Sequence, residues 1–458
     1  MILSTIALAV ASTAVAADAP VPPAPSSEVV ELRERVARLE SKITQMQAAD
    51  GERWLTEERA ADIRGIVTDV LADADARSSL QDSGATAGWE KGKGFFIRSA
   101  DGNFALRIAG QIQFRWVWNE TDNGPVDDDR YGFENRRAKL FFRGNVVDPS
   151  WTYEFEVQGS RTSGSMQEGE NIWIQKDLGS GFKLKAGQFK APFNREELVS
   201  AKELMTIDRS NVNGKLSTGV VQGVMGTYEA EMWRVSAAVI DGFGSASYNT
   251  GGASGFDGED QEFAGAARLE VLPMGTWKSA GNDTGFRGTD TTLLFGAAVA
   301  YQKGEYGTGT NSAPPDFNNN EAEDFRATLD ATFKTDGFSA GLAGIYRKLQ
   351  TDDTVLAPVD RDQWAIVARA GFFVSDDIEL FGLYEWGDLD IAGVSDLSTL
   401  TLGVTKYFDQ HNLKWTSDIG YGFNPVASDW ASAGSGWRAD SAGQDGQMVI
   451  RTQLQLLF

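Results

Sequence analysis

The chain has 458 residues and a formal net charge of −23, from 42 basic and 65 acidic side chains, which argues against nucleic acid as a partner and against polybasic attachment to anionic lipid. It contains no cysteine and one histidine, so disulfides, thiolate zinc sites and cysteine nucleophiles are excluded. Fifty glycines, 26 Phe, 13 Trp and 10 Tyr beside only 12 Pro suit tight turns and an aromatic outer surface better than two or three ordinary soluble domains.

Residues 1–17 form a short apolar segment ending in Ala14-Val15-Ala16-Ala17, the pattern of a cleaved signal peptide, although no Lys or Arg stands near its start. No later stretch reaches about eighteen consecutive apolar residues, so no helical membrane span is predicted. Residues 18–27, rich in Pro and Ala, read as an extended linker. Over 28–50, Val29, Leu32, Val36, Leu39, Ile43 and Met46 follow four-and-three spacing among Glu and Arg, which predicts a short α-helical coiled coil. The competing reading is an amphipathic helix packed on its own chain. Residues 51–88 read as a second helical segment and linker, with Ile63, Ile66, Val67, Val70 and Leu71 among acids.

From Gly102 onward the period changes to two, and residues 89–458 are read as one β-barrel. Phe104, Leu106, Ile108, Ile112, Phe114, Trp116 and Trp118 share one face, with Arg107, Gln111, Gln113 and Arg115 on the other. Similar segments recur near 103–119, 131–147, 150–159, 169–178, 181–189, 217–229, 231–243, 260–272, 289–303, 321–334, 337–349, 360–374, 377–388, 396–408, 411–424 and 443–458. The predicted fold is an all-β transmembrane barrel of about sixteen antiparallel strands, wide enough for an aqueous lumen. The last strand places Met448, Ile450, Leu454, Leu456 and Phe458 on one face and ends on an aromatic, which resembles the assembly signal of bacterial outer-membrane proteins.

With the aromatic face toward lipid, the other face carries about fourteen bases against nine acids, a modest basic surplus that would favour anions. The alternative is that these charges pair across strands and only keep the wall hydrated. Arg107, Arg115, Arg137, Lys139 and Arg143 lie on the predicted lumenal face. One connection, from Lys190 to about residue 216, is long and carries Lys190, Arg195, Lys202 and Arg209 beside Glu196, Glu197, Glu203 and Asp208. Its predicted place is inside the barrel, as a constriction; a lid or subunit-contact loop is the plainer alternative. His411 reads as a turn residue between strands, and the acidic run from Asp122 to Asp129 as a solvated loop, so neither a catalytic centre nor a metal site is predicted.

Arg136-Arg137-Ala138-Lys139-Leu140, Gly144, Trp151-Thr152-Tyr153, then Gly187-Gln188-Phe189-Lys190-Ala191-Pro192-Phe193 with Glu196-Glu197-Leu198, Ser200 and Asp208-Arg209-Ser210, resemble the phosphate-selective porin O and P family over roughly residues 95–458. The resemblance implies a homotrimer of sixteen-stranded barrels, with basic residues guiding anions to an inward loop. It makes Arg137, Lys139, Lys190, Arg195 and Arg209 pore-lining candidates, which the acids at 196, 197 and 208 partly offset. The combined expectation is a non-enzymatic porin, without a cofactor, in the outer membrane of a Gram-negative-type bacterium. It would pass small hydrophilic solutes, with phosphate-like anions preferred. Its partners would be outer-membrane lipid and the assembly machinery, with the N-terminal helix in the periplasm. The rival expectation is a structural protein that tethers the membrane to the cell wall through that helix.

Overall fold

The computed structural model describes residues 34–42, 44–45, 84–122, 127–161, 164–245, 261–306, 320–351, 359–432, 434–441, 444 and 446–458. The predicted signal segment, the linker and the second helical pattern as far as residue 83 lie outside these, as does most of the predicted coiled coil. The chain divides into two units, residues 1–83 and 84–458. In the first, residues 34–42 are helical and exposed, with an Arg38–Glu34 pair at 3.6 Å one turn apart.

The second unit is a closed antiparallel barrel preceded by a hairpin. The hairpin strands are β1 (Thr86–Glu90) and β2 (Gly94–Arg98). The barrel strands are β3 (Ala105–Asp122), β4 (Asp127–Asn145), β5 (Trp151–Gly159), β6 (Met166–Gly179), β7 (Phe182–Lys190), β8 (Val220–Glu229), β9 (Trp233–Ile240) and β10 (Gln261–Met274). They continue as β11 (Thr292–Tyr306), β12 (Asn320–Thr335), β13 (Phe338–Thr351), β14 (Asp360–Phe373), β15 (Ile378–Asp388), β16 (Leu397–Asp409), β17 (Leu413–Gly422) and β18 (Met448–Leu457). Each pairs with the next, and β18 returns to β3 from Met448↔Glu120 to Leu457↔Gln111, which leaves the barrel no open edge. The sixteen barrel strands match the expected number. The hairpin corrects the expected linker: pairing already starts at Thr86, inside the span read as helix and linker.

Burial is inside out. On β3, Phe114 is 45% exposed while its neighbours Gln113 and Arg115 are each 1% exposed, and the same alternation runs around the barrel. An apolar face toward the outside and a polar face toward the lumen is the arrangement hydrocarbon requires. Aromatic pairs gather near both rims, with Phe182–Tyr228 centroids at 4.4 Å near one and Tyr346–Trp364 at 4.5 Å near the other. Such girdles suit the bilayer interfaces. Among the described residues no helix is long and apolar enough to cross a membrane.

The closing seam depends on two glycines. Gly110 exchanges backbone hydrogen bonds with Phe458 (2.7 and 3.1 Å), and a Cβ there would stand 2.2 Å from the Phe458 ring. Just beyond Phe458, β2 continues along the same edge of β3, from Phe95↔Ile108 to Arg98↔Ala105. Gly94 opens β2 at φ +84°, where a Cβ would stand 2.2 Å from the Ile108 carbonyl oxygen.

Call the rim that carries Phe458 the lower rim. Its connections are short, as at 180–181, 336–337 and 410–412, except for 275–291. At the upper rim, the segments 191–219 and 423–447 are long. Among the described residues, these three long connections turn into the lumen.

Candidate functional site

The connection 191–219 is folded inward, as expected. Phe193, Val199, Leu204, Met205, Ile207, Val212 and Leu216 are each at most 1% exposed, which on a loop requires that the barrel enclose them. Two short helices stiffen it, α1 (Arg195–Leu198) and α2 (Asn211–Leu216), capped by Asn194 and Ser210. The Glu196 carboxylate accepts from the Ser210 N–H (2.9 Å) and hydroxyl (2.6 Å), and Glu197 accepts from the Asn213 amide (2.7 Å). Arg209 donates to the carbonyls of Glu196 (3.1 Å) and Val199 (2.9 Å), so this base is spent on holding its own loop together.

Wall side chains fix the loop by donating to its carbonyls, and these contacts satisfy backbone groups that would otherwise be orphaned. Arg268 reaches Phe193 O (2.7 Å), Arg326 reaches Ser217 O (2.6 Å), Lys414 reaches Leu204 O (2.6 Å) and Gln455 reaches Lys202 O (2.9 Å). From the lower rim, the segment 275–291 enters the lumen and meets the loop. There Arg195 donates to Ala280 O and lies 4.0 Å from Asp283, while Lys334 holds the Asn282 side chain at 2.8 Å. From the upper rim, the segment 423–447 turns inward with Trp430 and Trp437 buried at 1% and 2%. Gly387 and Gly420 face those indole rings, where a Cβ would stand 2.6 and 2.7 Å away. Ser435 donates to Asn211 (2.6 Å) and Lys215 pairs with Asp429 (3.2 Å), which ties the two upper-rim segments together.

Their junction is Asp208. This single carboxylate takes Arg136 at 2.6 Å, Arg137 at 2.8 Å and Arg115 at 3.3 Å, while Arg115 and Arg136 also donate to Gly434 O at 2.8 and 3.0 Å. Burial alone would raise the Asp208 pKa. The guanidinium groups of Arg136, Arg137 and Arg115 outweigh it and hold the carboxyl well below the usual range. Strict alternation places only one of Arg136 and Arg137 in the lumen. A bulge in β4, where Gln113 faces Arg137 but Phe114 faces Asn135, brings both inside. Arg136 was therefore missing from the expected lumenal set; the adjacent basic pair in a strand was the available signal.

An open space lies beside the loop, against the wall of β3 to β7. It is a cavity of about 260 Å³ lined by Lys139, Arg143, Lys190 and Lys202, by Glu156, Glu170 and Glu203, and by Gln111, Phe141, Asn171, Ser200 and Ala201. Most of its charge is paired. Lys139 lies 2.7 Å from both Glu156 and Glu170, Lys190 lies 3.4 Å from Glu170, and Arg143 bonds Glu154 at 2.6 Å. Glu170 was also missed, because an irregularity between Phe155 and Val157 shifts the register of β6.

The nine expected pore-lining residues thus separate into groups. Lys139, Arg143, Lys190 and Lys202 border the cavity, whereas Arg115 and Arg137 bind Asp208. Arg195 faces the segment 275–291 and Arg209 its own loop. Arg107 stands apart near the lower rim, paired with Glu90 at 2.8 Å.

A search of the curated proteins finds no match. Among solved structures, the barrel is similar to in-vitro folded OmpT of Vibrio cholerae in its trimer form, with a TM-score of 0.52 and 16% identity, covering 78% of this chain and 99% of that one. It is also similar to an anion-selective porin from Comamonas acidovorans, with a TM-score of 0.51 and 12% identity, covering 78% of this chain and all (100%) of that one. At such identities the likeness concerns the fold alone. The family model described as phosphate-selective porin O and P matches residues 109–387, a narrower span than the motifs suggested. With that match over more than half of its length, on a closed sixteen-stranded barrel, the chain belongs to the phosphate-selective porin O and P family of outer-membrane porins.

Proposed function

We propose that this porin passes small hydrophilic solutes by diffusion and prefers anions, phosphate-like ones among them. The observation that carries the reading is the lining of the open cavity, four bases against three acids. A low-dielectric wall focuses the field of such charges on a permeating ion, and Arg143, 40% exposed beside its largely buried partner Glu154, presents its charge to one. The family's phosphate-selective character and the similar fold of the anion-selective porin from Comamonas acidovorans support the same preference. A trimer is proposed by analogy with the OmpT trimer form. The lower rim, where most turns are short, is assigned to the periplasmic side.

The test is the zero-current potential of the reconstituted channel across a potassium chloride gradient. An anion-sign potential is expected, and one of cation sign sinks the preference. Inorganic phosphate added during chloride conduction then separates a phosphate-preferring channel, whose current falls, from a general one.

A further inference from the structure

We infer that the cavity beside the turn 200–203 is a binding site for a small zwitterion of the α-amino-acid type, whose carboxylate meets Lys202 and whose ammonium meets Glu203. This rests on reading the cavity as part of the permeation route. The pairing in its wall selects those two residues. Lys139 is shared between two carboxylates at 2.7 Å and Lys190 leans on Glu170 at 3.4 Å, so neither has much charge left for a solute. Lys202 and Glu203 line the same cavity, are half-buried, and form no ion pair among the described residues. Their backbone is fixed. Lys202 O accepts from Gln455 at 2.9 Å, and Glu203 N–H donates to Ser200 O at 2.8 Å, so the two side chains project from a held turn.

The Lys202 ammonium stands 5.5 Å from the centroid of the Phe141 ring, and the Arg143 guanidinium 4.7 Å from the same ring. An aromatic face holds these cations at the cavity without neutralising them. An inorganic oxyanion would gain Lys202 but be repelled by Glu203, and a simple cation would meet the reverse. A solute bearing both charges satisfies both, and a volume of about 260 Å³ accommodates a small amino acid.

The test measures block of chloride current through the reconstituted full-length channel by L-serine, with acetate and ethanolamine as its two charged halves. Half-block by L-serine is expected at a concentration at least about tenfold below that for either half, a difference that a second charge-assisted contact readily supplies. In Glu203→Gln, serine falls to the level of acetate; in Lys202→Met, block by both weakens. Equal half-block by serine and acetate in the unaltered channel overturns the site without reference to any variant. A serine advantage that survives Glu203→Gln, in protein of normal heat-modifiable mobility, overturns the role of Glu203. The zero-current potential is recorded on the same membranes. A cation-sign potential would defeat the anion preference and leave the serine advantage standing, so the two failures are distinct.

Discussion

The two sides of the lumen carry the same kinds of charge and use them differently. From β10 to β18, Arg268, Arg326, Lys334, Lys414 and Arg451 donate to main-chain carbonyls of the three inward segments, and carboxylates pair with the three arginines in place. From β3 to β7, Lys139, Arg143 and Lys190 are also paired but border open space. The lesson is that a count of lumenal bases says little about selectivity until each donor is assigned. A guanidinium that satisfies a buried carbonyl acts as a structural part, whereas one beside a cavity also acts on solutes.

Breaking the anchoring side should have the largest effect. Asp330 holds Arg268, which is 3% exposed, through contacts at 2.7 and 2.8 Å. Asp330→Ala leaves that guanidinium with Glu270 at 3.3 Å and the Phe193 carbonyl. A loss of about 3 kcal/mol is expected, the lower end for breaking a buried pair because one carboxylate remains, read as a fall in the midpoint of heat-modifiable mobility. An unchanged midpoint would mean that water, rather than the pair, supports Arg268.

Asp208→Asn sharpens the comparison from the junction. It removes the carboxylate shared by Arg115, Arg136 and Arg137 and should turn Arg136 and Arg137 toward solutes, while Arg115 keeps Glu134. The anion-to-cation permeability ratio is expected to rise several-fold in the zero-current measurement; no change would place these groups off the route.

On the cavity side the effects are smaller. Lys139→Gln should lower the anion preference by about twofold, because it unmasks Glu156 while Glu170 keeps Lys190 at 3.4 Å.

Acidification tests the junction without a mutation. The folded Asp208 pKa is depressed, so its contribution to stability is present above the unfolded value of about 3.9 and is lost only as pH falls through the lower folded value. Between pH 7 and about 4 the loop should resist protease as it does at neutrality. Cleavage within 191–219 that begins near pH 5 would contradict the three-arginine clamp. The smallest expected effect is that of Arg107→Ala, at a solvent-exposed pair with Glu90: the conductance and the midpoint should both stay where they are.

Much of the barrel was legible because each wall strand has lipid on one face and water or polar groups on the other, and period-two alternation records that directly. The strands expected at 360–374 and 377–388 lie at Asp360–Phe373 and Ile378–Asp388. The hairpin β1–β2 was missed because it is five residues per strand in a glycine-bearing stretch, too short to establish a period. The inward course of 191–219 was legible from its length and its dense charge. By the same length argument 275–291 and 423–447 were open to detection, but they carry fewer charges and end in ordinary strands.

By itself the sequence determined the architecture and the inward loop: alternation, aromatic enrichment and turn residues are local properties, and each strand reports them independently. It also delimited a basic lumenal set containing Lys139, Arg143, Lys190 and Lys202. Only the tertiary structure decided which of those bases have charge to spare. That outcome depends on pairings between residues far apart in the chain, such as Asp208 with Arg115 and Lys414 with Leu204, and on a one-residue bulge that turns Arg136 inward. A bulge reverses a side chain's face without changing composition or period over the rest of the strand, so closure of the barrel around its own loops is what reveals it.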